Sequence, residues 1–107
     1  MSALHKTSAS LRFFGDDLDP VEITSLLGAP PTVGVRKGGV WLTASGSEKV
    51  ARRGSWRLKA ADRSPGDLDH QIMELFKPLT SDLTVWNDLV CRFDGDVFLG
   101  LFLQEFN

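Results

Sequence analysis

The sequence is poor in the residues that most often announce chemistry. It holds a single cysteine, Cys91, and two histidines, His5 and His70. One cysteine excludes an intramolecular disulfide and points to a reducing compartment. One Cys and two distant His give no metal-ligand spacing, so no metal and no cofactor is expected. Long apolar runs are missing as well. The longest, residues 97–103, falls far short of the roughly 20 residues that span a bilayer. Residues 1–10 lack the apolar core of a secretory signal. A cytoplasmic protein without membrane association is therefore expected.

What is present fits one domain over residues 1–107 that buries a core without staples. Three Trp and seven Phe make that core aromatic-rich. Charge is unevenly placed. Residues 36–63 carry eight Lys and Arg against two acids, Glu48 and Asp62, whereas the rest of the chain carries four against twelve. Such bipolarity can steer a partner and says nothing about fold.

Residues 9–14 alternate, with Ala9, Leu11 and Phe13 on one side and Ser10, Arg12 and Phe14 on the other, as in a half-buried strand. Asp19 then suits a helix cap and Pro20 the first helical position, with Glu22 three residues past the cap. Leu18 and Ile23 are spaced as a hydrophobic staple, and Gly28 before Pro30-Pro31 stops the helix. Residues 32–60 read as hairpin, with turns at Gly38-Gly39 and Ser45-Gly46-Ser47. In its last segment Trp56, Leu58 and Ala60 share one face, and Arg53, Ser55, Arg57 and Lys59 the other, a basic stripe.

Ser64-Pro65-Gly66-Asp67 opens a second helix whose apolar stripe is Leu68, Ile72, Leu75, Phe76 and Leu79. A short helical turn at 81–87 would bury Leu83 and Trp86. Two strands then follow: Leu89, Cys91 and Phe93 alternate, Asp94-Gly95-Asp96 turns, and 97–103 is apolar at both parities. That last strand needs cover on both faces. The fold expected is α+β, a mixed or antiparallel sheet of about five strands with two main helices on one face.

Residues 11–20, LRFFGDDLDP, with 23–28 and Pro31-Thr32, resemble the opening of the bacterial domain-of-unknown-function family 4279. Residues 54–58, 82–86 and 98–103 are similar to its middle and later parts. The resemblance implies a mixed α+β sheet with helices packed on it, and no catalytic residues. Members usually continue past the position of Asn107 with a Leu-rich helix and a final strand. It therefore implies a chain short of both, with apolar surface left uncovered around Phe98, Phe102 and Leu103. Self-association through those residues is expected, since exposed strands of this kind pair with other chains.

No catalytic constellation emerges, because no pattern joins Cys91, His5 and His70. Asp16, Asp17 and Asp19 are accounted for by capping and the helix dipole, and Gly38-Gly39 lacks the helix a phosphate loop requires. The leading expectation is a non-enzymatic interaction module that self-associates and engages an unidentified protein partner. The alternative is an anion or single-stranded nucleic-acid binder whose contacts are Arg53, Arg57, Lys59 and Trp41, with Phe14 nearby. A pI near 5.6 and the lack of a recognition motif weigh against nucleic acid.

Overall fold

The alternation at Ala9, Leu11 and Phe13 belongs to a longer strand than the pattern suggests. In the computed structural model, which describes residues 3–63 and 66–104, β1 runs Ala3–Gly15. Side chains are described for 6–63 and 66–100. The expected faces are observed, with Ala9, Leu11 and Phe13 buried. Helix α1 (Pro20–Leu27) begins as its sequence dictates: the Asp19 carboxylate accepts from the Val21 amide at 3.0 Å. Leu18 and Ile23 join the same buried cluster, and Gly28 ends the helix at φ 92°, a conformation that favours glycine. Glu22 does not complete a capping box. Its carboxylate instead accepts from Arg92 at 2.7 Å.

Residues 32–60 form two nested antiparallel pairs. β2 (Val33–Val35) pairs with β5 (Gly54–Lys59), and between them β3 (Val40–Leu42) pairs with β4 (Glu48–Val50) as a separate hairpin. Two helices follow, α2 (Leu68–Phe76) and α3 (Leu83–Arg92), and then β6 (Asp94–Gln104). The architecture is α+β: a four-stranded antiparallel sheet in the order β2-β5-β1-β6, a two-stranded hairpin, and three helices. All three helices pack on one sheet face. Leu11, Phe13 and Trp56 meet Ile23, Leu27, Leu79 and Leu89, while Leu75 of α2 meets Ala9 and Ala60.

Four details depart from the sequence reading. Helix α3 extends to Arg92, so the strand expected over Leu89, Cys91 and Phe93 is helical. Leu89 is buried there and Cys91 is exposed, not a core residue. Asp94-Gly95-Asp96 is the start of β6 rather than a turn. Leu83 is 74% exposed, because the buried side of α3 is carried by Val85, Trp86 and Leu89. The α2 stripe is also interrupted: Phe76 lies at the surface, and Gln71 is fully buried. Ser64 and Pro65 of the expected helix start lie outside the described residues, but Asp67 caps α2 by accepting from the His70 amide at 3.1 Å.

Gln71 has the partners its burial requires. Its Nε2 donates to the carbonyls of Thr7 and Ala61, each at 2.9 Å, and its Oε1 accepts from the Thr7 hydroxyl at 2.6 Å. The Thr7 hydroxyl oxygen in turn accepts from the Asp67 amide at 2.9 Å. This network fixes α2 to the N-terminal half of β1, where β5 no longer pairs. Only residues 10–15 of β1 face β5, whereas β6 accompanies β1 from Ala3 to Phe14 with one register shift between Leu4 and Lys6. The β1–β6 ribbon therefore extends beyond the rest of the sheet. The radius of gyration, 15.6 Å, exceeds the ~13 Å of a compact domain this size. The shortest dimension, 19 Å, holds one sheet and one helix layer, which leaves the other sheet face open.

Candidate functional site

The open face is built by strand parity. Side chains that alternate away from the helices align in cross-strand rows, because antiparallel partners share a face. Val35, Ser55, Phe14 and Asp94 stand in one row; Val33, Arg57, Arg12 and Asp96 in the next; Lys59, Ser10 and Phe98 in a third. Rings and cations interleave across these rows. The Arg57 guanidinium lies 5.4 Å from the Phe14 ring centre, and Arg12 lies 5.6 Å from Phe14 and 4.9 Å from Phe98.

Arg12 is further bound by Asp96 in a bidentate pair, both N···O distances being 2.7 Å. That hydrogen bond lowers the Asp96 pKa, partly opposed by desolvation, with Arg12 and Arg57 adding electrostatic attraction. The same bond raises the pKa of Arg12.

The β3–β4 hairpin stands beside this face and closes one side of a cleft of about 540 Å³. Phe14, Val33, Val35 and Trp41 contribute its apolar lining, and Lys49, Arg52, Arg53 and Arg57 its charge. Trp41 and Lys49 are cross-strand partners in the hairpin, so strand pairing itself sets ring beside cation.

Most of the basic segment is neutralised within the molecule. Arg36 binds Asp19 at 2.8 Å, Lys37 reaches Asp16 at 3.7 Å, and Arg53 binds Asp94 at 2.8 Å. Lys59 lies 3.6 Å from Asp62, and Arg63 lies 3.6 Å from Glu74. Lys49, Arg52 and Arg57 remain. Among the described residues none of these three has an acid within salt-bridge distance, and all three line the cleft.

Of the ligand contacts expected from sequence, Arg53, Arg57 and Trp41 come together in the cleft. Lys59 shares the open face but stands outside the lining. Phe14, expected nearby, also lines the cleft, together with Val33, Val35, Lys49 and Arg52, which the sequence reading did not assign to a site. Their signal was the shared parity of Phe14 and Arg57, which becomes readable only once the register of β1 and β5 is known.

The second feature is β6. It forms the sheet's last strand, and no strand pairs with its outer edge among the described residues. Val97, Phe98 and Leu99 are 43%, 49% and 43% exposed, so the cover expected on both faces is not provided by the helices. Phe102 and Leu103 occupy β6 opposite Lys6 and Leu4, and their side chains lie outside the described residues.

Among the described residues no group of three or more His, Cys, Asp or Glu side chains could hold a metal ion. No described helix is long and apolar enough to cross a membrane. No curated protein and no solved structure matches the chain. Residues 5–107 match a family described as a domain of unknown function, DUF4279, and the match takes in both the open face and β6. The chain belongs to the DUF4279 family.

Proposed function

We propose that the protein is a non-enzymatic interaction module that works as a self-associated pair, joined through the outer edge of β6. The single observation that carries this reading is an eleven-residue edge strand with three consecutive half-exposed apolar side chains, Val97, Phe98 and Leu99. An unpaired edge offers a row of backbone donors and acceptors to any second strand, and proteins ordinarily blunt such edges with charge, proline or a bulge. Residues 97–103 contain none of the charges or prolines.

Chain chemistry favours an antiparallel arrangement of two copies. Parallel pairing in register would set Asp94 and Asp96 beside their own counterparts. Antiparallel pairing centred near Gly100 separates Asp94 and Asp96 from their own counterparts and sets apolar residues 97–103 against one another.

Phe98→Lys tests the reading, because a charge on an edge strand opposes pairing. Sedimentation velocity at tens of micromolar should show a dimer for the parent and a monomer for the variant. Circular dichroism should confirm that both are folded. A variant that sediments like its parent would remove β6 as the contact.

A further inference from the structure

We propose that the cleft between the open sheet face and the β3–β4 hairpin binds a single nucleotide, with phosphate held by Lys49, Arg52 and Arg57 and the base set against Trp41 and Phe14. This site is separate from the β6 edge and does not depend on self-association.

The charge pattern carries the argument. Residues 36–63 contain eight basic side chains. Five of them are bound to acids of this chain, and the three that are not are the three gathered in one cleft. The unpaired positive charge of the segment is thus concentrated in one place. Three cations of one sign facing a half-enclosed space repel one another, and a bound anion relieves that repulsion. Asp96 attracts Arg57 electrostatically but forms no ion pair with any of the three, both of its oxygens being bound by Arg12 at 2.7 Å, so the relief it gives is partial.

The rings specify what the anion carries. Trp41 is 37% exposed although it lines the cleft, and the Phe14 ring lines the same space with the Arg57 guanidinium 5.4 Å from its centre. An exposed indole face beside cations suits a flat heterocycle, which stacks on the ring while its phosphate meets Lys or Arg. Val33 and Val35 add an apolar wall for the rest of the ligand.

Size selects one nucleotide over a strand. About 540 Å³ lies within the ~300–1,000 Å³ range of small-molecule sites. Beyond the cleft the cations of the open face are already paired, Arg12 with Asp96 and Arg53 with Asp94, and the chain as a whole carries a net charge of −2. A polyanion running across the face would have to displace those carboxylates to find a cation.

Isothermal titration with ADP, adenosine, inorganic phosphate and a ten-nucleotide single-stranded DNA tests the proposal on the intact protein. ADP should bind at least tenfold more tightly than adenosine or phosphate alone, and its affinity should fall as salt rises. Arg57→Glu and Arg52→Glu should each weaken ADP binding at least tenfold. Arg52 makes no ion pair in the fold, so its replacement separates loss of binding from loss of folding. Trp41→Ala should bring ADP down toward the affinity for phosphate, and Lys77→Glu, outside the cleft, should leave it unchanged. The proposal is overturned by an absence of ADP binding at millimolar concentration. Equal affinity in the Arg52→Glu variant also overturns it, as does DNA that binds a hundredfold more tightly than ADP.

Discussion

Replacing Gln71 with alanine removes the one polar side chain that the core of α2 encloses. The perturbation is well defined, because Gln71 is fully buried and makes three hydrogen bonds, to the Thr7 hydroxyl, the Thr7 carbonyl and the Ala61 carbonyl. At about 1 kcal/mol each, their loss totals about 3 kcal/mol, before any cavity term. The Thr7 carbonyl keeps the Arg63 amide at 3.2 Å and is not orphaned, whereas the Thr7 hydroxyl keeps the Asp67 amide but loses the acceptor of its proton. Alanine's better helix propensity returns a few tenths of a kcal/mol.

The expected net loss is therefore about 2–3 kcal/mol, a fall in Tm of roughly 10–20 °C for a domain of this size. Urea melts followed by tryptophan fluorescence and circular dichroism give the number. Thr7→Val in the same background should be sub-additive by about 1 kcal/mol, as contacting residues are. A loss below about 1 kcal/mol, or strict additivity in the double variant, would refute the claim that this network ties α2 to the β1–β6 ribbon.

Two further outcomes follow from the surface. Cys91 is exposed on α3, so it should react with a thiol reagent such as DTNB in the native protein at close to the rate of the urea-unfolded chain; a thiol protected until unfolding would return it to the core. Asp96 has a lowered folded pKa, so its bond to Arg12 adds stability above the ordinary carboxylate range, and this is lost as pH falls through the folded value. Asp96→Asn should cost about 0.5 kcal/mol at pH 7, the scale of an exposed pair, and the difference from the parent should shrink below about pH 4. A difference that grows toward acid pH contradicts the assignment.

The parts of the fold legible in sequence are those set by neighbours along the chain. Asp19, Pro20, Leu18 and Ile23 specify the start of α1 within a few residues, and Gly28 its end. The alternation of Ala9, Leu11 and Phe13 gives the buried face of β1 for the same reason. Residues 89–93 were misread because Leu89, Cys91 and Phe93 fit a period of two, while Val85, Trp86, Leu89 and Phe93 also fit the helical period. The Asp82 carboxylate, accepting from the Thr84 amide at 2.9 Å, starts the helix, and packing of Val85, Trp86 and Leu89 in the core carries it on to Arg92.

Gln71 could not be placed in the core from sequence, because its buried partner Thr7 is 64 residues away. The candidate cleft was half legible for a related reason. The basic face of β5 follows from alternation alone. Which of its cations keep no acid partner depends on long-range pairs such as Arg53 with Asp94 and Arg36 with Asp19.

The proposed pairing through β6 rests most directly on the mass of the untagged protein in solution. Multi-angle light scattering at tens of micromolar should give twice the chain mass of 11.8 kDa, and Phe98→Lys should return the single-chain value. A parent protein that scatters as 11.8 kDa across that concentration range contradicts the account.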